Sequence, residues 1–478
     1  MKHVILSLVL VALISCHVFA ETTTVAQHPE VASNLRLLES WIESQIAYKN
    51  IPGVSVGIVY DQELIWAKGF GYADRENKIP AGPGTVYRIA SISKLFTSVA
   101  IMKLRDEGKL QLDDPVEKHL SWFKIRQTYP EAPVITIRHL LTHTSGLPRE
   151  AVFPYWTDFN FPTREQIIEM LPEQDTVYPS ETRWKYSNLG LTLAGEIVAA
   201  VSGEPYEDYI RKNILEPLGM TGTSVSISKD DPRLAVGYGR HMPDGSQTVM
   251  PFTDSRGITP AANLSSTVED LARFCSWQLR LRESGGREIL KSSTIRGMQR
   301  VHWLHPNWES GWGLGFSINH TADRDLIGHG GHVSGYTTQV KISPKEKIAV
   351  IVLTNTDDGN PGMFLEKAFE WVAPALTQAV EPPPEKMKAD PKWNRYVGKY
   401  RDIWADYEIM IMNGKLVLIY PASDDPKASM VTLVPVTDHT FRLEGQGYGS
   451  YGELLIFEIG SNGEVERLKM DENYIYPR

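Results

Sequence analysis

Ser91 and Lys94 stand three residues apart in the tetrapeptide Ser-Ile-Ser-Lys, at the start of a segment with apolar residues at helical spacing. Residues three apart share one face of a helix, so the hydroxyl and the amine would be neighbours. A serine hydroxyl is a weak nucleophile until a base takes its proton. A lysine can be that base where burial lowers its pKa. The pair therefore predicts nucleophilic catalysis at Ser91, with backbone N–H groups of the helix start facing the developing negative charge.

The same four-residue spacing occurs twice more, at Ser121/Lys124 and at Ser226/Lys229. Ser226 is followed by Asp-Asp-Pro, which does not continue a buried helix, and Ser121 lies in a mixed loop. Only Ser91 opens a long apolar helix that would hold the two side chains rigidly. We therefore favour Ser91 as the nucleophile.

A second group, Tyr186-Ser187-Asn188, comes just before an apolar segment with helical periodicity. The tyrosine could pass a proton between a nucleophile and a leaving group, and the amide of Asn188 could hold a substrate carbonyl. The alternative is structural: Ser187 or Asn188 caps the helix, and Tyr186 packs against it.

The third group is a glycine-rich stretch, Gly328 to Val333, whose candidate binding residues are His329, Gly330, Gly331 and His332. Dense glycine lets another backbone, a ligand or a catalytic group approach closely. On an edge strand, free N–H groups could bind a carbonyl oxygen. The alternative is a glycine-rich turn that carries two surface histidines.

Two other chemistries have weaker support. The Gly-x-Ser-x-Gly match at residues 53–57 needs a strand, a sharp turn and a helix, but the sequence there reads as a continuous strand. The pairs His302/His305 and His329/His332 have ligand spacing for zinc, but no His-Glu-x-x-His helix or carboxylate cluster accompanies them. We expect neither a metal nor a cofactor.

The elements that must position these groups follow from periodicity. Strand patterns come first, helical patterns fill the middle, and strand patterns return, which predicts an α+β fold with an antiparallel sheet flanked by helices. Helices are predicted at residues 37–46, 91–105, 136–142, 189–201 and 267–279, and strands at 54–60, 64–70, 337–342 and 348–353.

Beyond Glu381-Pro-Pro-Pro the pattern changes to short strands with hairpin signals. Asn413-Gly414 separates two strand-like segments, and Ser-Asn-Gly at residues 461–463 separates two more. The prolines predict a stiff linker. The last 85 or so residues predict a small, separate β-barrel.

The composition and the first residues indicate where the protein works and which partners are unexpected. The 478 residues carry 49 Lys plus Arg against 58 Asp plus Glu, a net charge of −9, so nucleic acid is an unexpected partner. Residues 1–20 have the charged start, apolar core and small-residue end of a signal peptide, and we predict export to the periplasm or the medium. Cutting before Cys16 instead, at a lipobox-like Leu-Ile-Ser-Cys, would give a membrane-anchored lipoprotein.

Together the three groups resemble the penicillin-recognising serine hydrolases, in particular the class C β-lactamase-like branch with its esterases and D-stereospecific peptidases. The resemblance covers roughly residues 33–378, and the tail resembles the lipocalin-like barrels appended to some D-amino-acid-specific peptidases. Three further segments match the sequence pattern of this family: Leu140 to Pro148, Gly311 to Phe316 and Thr354 to Asp357. The domains implied are a signal peptide (1–20), a hydrolase domain with an all-helical lobe (33–378), a Pro-rich linker (379–392) and a lipocalin-like domain (393–478).

The resemblance implies roles for these residues. Ser91 would be the acylated nucleophile, Lys94 and Tyr186 would share its proton, and Asn188 would contact the substrate amide. The oxyanion hole would consist of the backbone N–H groups of Ser91 and His332. Trp303, Trp308 and Trp312 could border the cleft, although packing in the core is an alternative for them.

One departure from the family pattern bears on the substrate. Relatives that bind a carboxylate usually carry Lys-Thr-Gly at the third motif, and this chain has His329-Gly330-Gly331. A largely neutral histidine offers less charge, which favours small esters, amides or peptides recognised at an N-terminal D-residue. The alternatives are a β-lactamase or D-alanyl-D-alanine carboxypeptidase, and a penicillin-binding sensor that is acylated without turnover.

Overall fold

The structure is a computed structural model that describes residues 24–321, 324–380, 388–445 and 450–478. The predicted signal peptide and Cys16 lie outside the described residues, as do positions 381–387 of the predicted linker. Within the described parts of the chain, no helix has the length and apolar character needed to cross a membrane.

The α-helices of the described residues are α1 (Pro29–Lys49), α2 (Ser93–Asp106), α3 (Val116–His119), α4 (Ile137–Thr142), α5 (Tyr155–Asp158), α6 (Arg164–Met170), α7 (Asn188–Ser202), α8 (Tyr206–Ile210), α9 (Thr259–Ala262), α10 (Val268–Ser284), α11 (Ser292–Met298) and α12 (Pro361–Val380). Short 3-10 segments lie at Val25–Gln27, Ala90–Ile92, Leu171–Glu173, Arg256–Ile258 and Pro391–Tyr396, and a π-helical segment at Arg211–Leu215.

The strands that precede residue 380 are β1 (Gly53–Tyr60), β2 (Glu63–Asp74), β3 (Ile79–Pro80), β4 (Tyr87–Arg88), β5 (Ser265–Ser266), β6 (Arg287–Glu288), β7 (Leu290–Lys291), β8 (Trp303–Leu304), β9 (Ser310–Trp312), β10 (Ser317–His320), β11 (Asp325–Val333), β12 (Tyr336–Ser343) and β13 (Ile348–Thr354). Those that follow are β14 (Gly398–Arg401), β15 (Asp406–Met412), β16 (Lys415–Ile419), β17 (Val431–Pro435), β18 (Thr440–Glu444), β19 (Leu454–Ile459), β20 (Val465–Met470) and β21 (Asn473–Pro477).

The main sheet of the described residues has nine strands in the order β3-β2-β1-β13-β12-β11-β10-β9-β8, and its pairings are antiparallel. The central strand β13 is buried along its whole length, because alternate side chains pack against helices on opposite faces. Val350 and Val352 pack with α1 and α12, whereas Ile351 and Leu353 join the core formed with α2, α7 and α10. The predicted α+β fold with an antiparallel sheet is confirmed.

Helix α2 runs through the centre of the helical lobe. It packs against α7 and α9, and Phe96 stacks on Phe274 of α10 with ring centres 4.4 Å apart. Helix α2 is buried on nearly all sides, and the 3-10 turn directly before it packs against β11 and β12 of the sheet. The predicted helix from Ser91 begins slightly later than expected: a 3-10 turn at Ala90–Ile92 precedes α2.

The strands β14 to β21 form a closed eight-stranded barrel among the described residues, which confirms the predicted C-terminal barrel. Asn413 and Gly414 take positive φ angles of 52° and 73° at the turn between β15 and β16, as the sequence pair predicts for a tight hairpin. The domain boundaries inferred from the sequence stay a prediction.

The barrel packs against α1 of the main body. The indole N–H of Trp41 and the amide of Gln45 donate hydrogen bonds to the carbonyl of Ser423, at 2.8 and 3.1 Å. Met410 and Val417 of the barrel belong to the same apolar cluster as α1 and α12. The barrel is therefore fixed to α1, on the side of the sheet that α1 and α12 cover, by both apolar and polar contacts.

Candidate active site

The amine of Lys94 lies next to the hydroxyl of Ser91. Its Nζ atom is 2.9 Å from Ser91 Oγ, and it donates a second hydrogen bond of 2.8 Å to the carbonyl of Ala261 at the end of α9. Ala90, directly before Ser91, has a φ of +47°, a left-handed conformation that costs an alanine about 1–2 kcal/mol. The chain thus changes direction just before Ser91, at the start of the helical turn that carries the hydroxyl.

Burial sets the charge state of Lys94. The side chain is fully buried, and this desolvation lowers its pKa well below the usual value for lysine. The carboxylate of Glu150 raises the pKa and the guanidinium of Arg149 lowers it, both with less effect than burial. Lys94 is therefore suited to accept a proton rather than to act as a permanent cation.

The phenol ring of Tyr186 lies close to the amine of Lys94 and to the guanidinium of Arg149. The Nζ atom of Lys94 and the guanidinium carbon of Arg149 are each 5.0 Å from the centre of the phenol ring. Burial raises the pKa of the Tyr186 phenol, and a hydrogen bond with Ser91 and the charge of Arg149 partly offset that rise. The phenol therefore stays protonated in the resting site and lies within hydrogen-bond reach of Ser91.

Asn188 is the first residue of α7 and is oriented by Glu150. Its Nδ2 atom donates a hydrogen bond of 2.7 Å to the Glu150 carboxylate, which also accepts a hydrogen bond from the Tyr155 hydroxyl. The Oδ1 atom of Asn188 is buried and has no hydrogen-bond partner among the described residues. Asn188 thus uses an N–H group on the Glu150 carboxylate, and the expected contact of its amide with a substrate stays a prediction.

The glycine-rich stretch lies in β11, beside the turn that carries Ser91. Strand β10 pairs with β11 only from Asp325 to Gly328, so the next residues of β11 have no described strand partner on that side. A Cβ atom on Gly331 would stand 2.2 Å from the carbonyl oxygen of Ile89, so only glycine allows this close approach. The edge of β11 thus lies close to the chain just before Ser91, and the oxyanion hole of the Ser91 and His332 N–H groups stays a prediction.

His329 and His332 occupy different environments on β11. His329 is buried, its Nδ1 atom donates to the Gly330 carbonyl, and burial lowers its pKa to about 3. The His332 side chain is exposed, and its Nε2 atom is 3.2 Å from Asp357, which also accepts a hydrogen bond from the Gly335 N–H group. The structure thus gathers the predicted residues of β11, with a neutral imidazole at the position of the third-motif lysine.

Sequence reasoning missed several residues that build this site. His143 packs against Tyr186 in a tilted arrangement with ring centres 4.4 Å apart, and its Nδ1 atom accepts a hydrogen bond of 3.1 Å from the Ser187 N–H group. Trp184, which was also missed, and Trp312, which was expected to border the cleft, complete a cluster of rings around Tyr186, at 6.1 Å each. His143 lies inside the family phrase at residues 140–148, which was the available signal, and Arg149 and Glu150 follow that phrase directly.

The competing candidates take other places. Ser55 of the Gly-x-Ser-x-Gly match is buried in β1, where it bonds to Gly82 and Tyr87 at 2.9 Å each. Ser226 donates to Glu207 at the surface. Across the described ranges, no group of three or more His, Cys, Asp or Glu side chains has the arrangement of a metal site.

Comparison with known proteins places the chain among related sequences. The model of the Beta-lactamase family matches residues 38–374. Beta-lactamase-like protein 2 of Dictyostelium discoideum is 30% identical over 374 residues, which are 77% of this chain and 67% of the relative. Protein flp of Staphylococcus aureus is 30% identical over 357 residues, covering 71% of this chain and 69% of that protein.

Solved structures share the fold. The octameric penicillin-binding protein homologue from Pyrococcus abyssi matches with a TM-score of 0.62 and 30% identity, over 93% of this chain and all of that one. EstCE1, a hydrolase with promiscuous acyltransferase activity, matches with a TM-score of 0.59 and 24% identity over 72% of this chain and 99% of its own. A D-stereospecific amidohydrolase from Streptomyces sp. matches with a TM-score of 0.57 and 22% identity, covering 71% and 98%. The last two are similar in fold alone.

Proposed function

The chain belongs to the beta-lactamase family of serine hydrolases, and on that premise we propose that it cleaves esters or amide bonds through an acyl-enzyme on Ser91. The observation that carries the proposal is the 2.9 Å contact between Ser91 Oγ and the buried amine of Lys94. An amine kept neutral by burial can take the hydroxyl proton as the oxygen attacks a carbonyl carbon.

Acylation needs one proton to move from Ser91 to the leaving group. As the Ser91 oxygen bonds to the acyl carbon, its proton passes to the Lys94–Tyr186 pair, which we treat as one unit. The same pair returns the proton to the leaving oxygen or nitrogen as the old bond breaks. The backbone N–H groups of Ser91 and His332 stabilise the negative charge on the carbonyl oxygen.

Deacylation repeats these steps with water. The pair takes a proton from water, the hydroxide oxygen attacks the acyl carbon, and the Ser91 oxygen leaves and regains a proton. The product is a carboxylic acid, and the enzyme returns to its resting state. The conversion needs no redox partner.

The substrate class follows from the neutral third motif. His329 is buried and uncharged at physiological pH, so it offers no cation to a substrate carboxylate. We therefore favour esters and amides, including peptides with an N-terminal D-residue, over penicillins and free C-terminal D-alanine. The alternatives are a β-lactamase or D-alanyl-D-alanine carboxypeptidase activity, and a penicillin-binding sensor that is acylated without turnover.

The experiment is a substrate panel with matched variants. Aryl esters, D- and L-configured amides and a chromogenic cephalosporin are assayed with the wild type, Ser91→Ala and Ser226→Ala. Ser226 heads an identical tetrapeptide at the surface, so its loss should leave the rate unchanged. We expect turnover of esters or amides that disappears only in Ser91→Ala, and turnover that survives in Ser91→Ala would refute the proposal.

A fluorophosphonate probe separates an enzyme from an acylated sensor. Labelling of Ser91 together with steady release of product supports the enzyme. Labelling without product release supports the sensor alternative. We further propose that the protein works outside the cytoplasm, which cell fractionation with and without residues 1–20 tests.

A further inference from the structure

The hairpin formed by β8 and β9 lies at one edge of the sheet and carries aromatic residues from the site outwards. At its base, the ring of Trp312 is 5.5 Å from that of His329 and 5.0 Å from that of His143. Along the hairpin, His305 lies 4.8 Å from Trp184, which packs 5.3 Å from Trp312. The hairpin is thus joined to the ring cluster around Tyr186.

Trp308 at the tip of this hairpin is exposed and conformationally strained. Its side chain is 76% exposed, and its φ is +62°, in the left-handed region that bulky residues avoid. The turn is held without the indole: the Trp308 N–H group donates to the His305 carbonyl at 3.0 Å, and the Asn307 side-chain oxygen accepts from the N–H groups of Glu309 and Ser310. A large apolar residue in a strained position, with most of its surface in water, does not stabilise the folded chain.

The leaving group of a bound substrate would lie on the side of the site that faces this hairpin. Tyr186 and Lys94 return the proton to the leaving atom, so that part of the substrate must lie against the phenol. The tryptophan rings next to the phenol are Trp184 and Trp312, with His305 beside Trp184, and the guanidinium of Arg149 is also 5.0 Å from the centre of the phenol ring. Leu304 (42% exposed) and Trp308 follow along the hairpin. The neutral His329 stands in the same wall, where a carboxylate-binding relative would place a cation.

We infer that the β8–β9 hairpin is a binding site for an apolar leaving group, an aryl or alkyl alcohol or amine, with Trp308 covering its outer part. The inference rests on the proposed function and names the substrate class of the same site. Aromatic side chains bind such groups by burying apolar area and by edge or offset stacking. The ordered turn holds Trp308 in place before the substrate arrives, which lowers the cost of binding.

The test compares two acetate esters with similar leaving-group acidity, phenyl acetate and 4-phenylphenyl acetate. The variant Trp308→Asn keeps the turn, because asparagine tolerates a positive φ, and removes the indole. We expect the ratio of kcat/KM for the larger ester to that for the smaller one to fall about tenfold, mainly through KM. Trp308→Phe should keep most of the ratio, and the melting temperature of Trp308→Asn should not fall.

The matched control is Trp404→Asn. Trp404 is 82% exposed on the turn between β14 and β15 of the barrel, so it offers an equally exposed indole on another domain. An unchanged ratio in Trp308→Asn, or an equal fall in Trp404→Asn, overturns the inference while Ser91-dependent hydrolysis stands. Absence of Ser91-dependent hydrolysis of both esters overturns the inference, and it refutes the proposed function as well if the amides of the substrate panel are not hydrolysed either.

Discussion

The carboxylate of Glu150 accepts a hydrogen bond of 2.7 Å from the Nδ2 atom of Asn188, and its charge also acts on Lys94. One side chain therefore influences two parts of the site. It fixes which end of the Asn188 amide faces the carboxylate, and it raises the pKa of Lys94 against the stronger effect of burial.

Replacing Glu150 with glutamine removes that charge at nearly constant shape. We expect the pKa of Lys94 to fall further, so the acid limb of the kcat/KM profile, which reports protonation of the base, moves to lower pH. The Asn188 amide loses its charged partner, and kcat/KM at the optimum should fall about tenfold. The pH–rate profile with an aryl ester measures both effects.

Glu181→Gln is the control for this change. Glu181 pairs with His139 in the same lobe, and it is not among the groups that act on Lys94. Its variant should keep the acid limb of the wild type. A profile that is unchanged in Glu150→Gln would show that the carboxylate does not influence the base.

Replacing His329 with lysine should restore recognition of a carboxylate. The buried imidazole is neutral, and a cation at this position would form charge-assisted hydrogen bonds with a carboxylate substrate. We expect the second-order rate of Ser91 acylation by benzylpenicillin to rise at least tenfold, measured with a fluorescent penicillin. His320→Lys, which adds a cation at an exposed position of β10, should leave that rate unchanged, and equal rates in both variants would contradict this account of specificity.

Lys341 is a buried amine on β12 that bonds to Ser317 and Asn319, at 2.8 and 2.6 Å. Burial lowers its pKa from 10.5 to about 7. Between those two pH values the unfolded chain binds more protons than the folded protein, so the free energy of unfolding rises with pH from about 7 to 10.5. Below about pH 7 the folded protein bears the full cost of burying a charged Lys341 amine.

Lys341→Met should remove this penalty. We expect the free energy of unfolding to rise by about 2 kcal/mol at pH 7, after the loss of two hydrogen bonds, with little gain at pH 10. Urea unfolding at pH 6, 7 and 10 measures the difference. Lys347→Met removes an exposed lysine that pairs with Asp61 and Glu283, and it should give no gain. A loss of stability in Lys341→Met at every pH would contradict the prediction.

Glu408 lies where the barrel meets α1 and accepts a hydrogen bond from Ser40. Burial raises its pKa to about 6, and the charges of Lys399, Glu43 and Arg36 also act on it. Between about pH 4.5 and 6 the folded protein therefore keeps a proton on Glu408 that the unfolded chain has released, so the free energy of unfolding falls as the pH rises. Above about pH 6 the folded protein bears the full cost of burying the charged carboxylate.

Glu408→Gln should make the protein more stable at pH 8 by about 1 kcal/mol and leave it unchanged at pH 4. Thermal unfolding at the two pH values measures this. Glu453→Gln changes an exposed residue of the barrel and serves as the control. A gain of equal size at both pH values would show that the charge of Glu408 is not the cause.

The fold class and the barrel could be predicted because their signals are local. The apolar run of β13 and the Asn413-Gly414 turn each depend on a few neighbouring residues. The bend at Ala90 could not be predicted, since alanine has no preference for a positive φ, and only the surrounding structure imposes it.

The site could be predicted where the spacing along one helix determines which side chains meet, as it does for Ser91 and Lys94. The orientation of the Asn188 amide was not, because it depends on Glu150, which lies 38 positions earlier in the chain. Trp312 was expected at the cleft, but its contacts with His143 and Trp184 were missed for the same reason: the three rings come from separate segments and meet only after folding.

The pairing of β1 with β13 also bears on how the protein is made. Val54 lies opposite Thr354, so the middle of the sheet joins positions about 300 residues apart. A ribosome releases the earlier strand long before the later one, and until then β1 exposes an unpaired apolar edge. Biogenesis therefore depends on keeping the early segment from aggregating while the rest is synthesised, and chains truncated before β13 should accumulate as insoluble material.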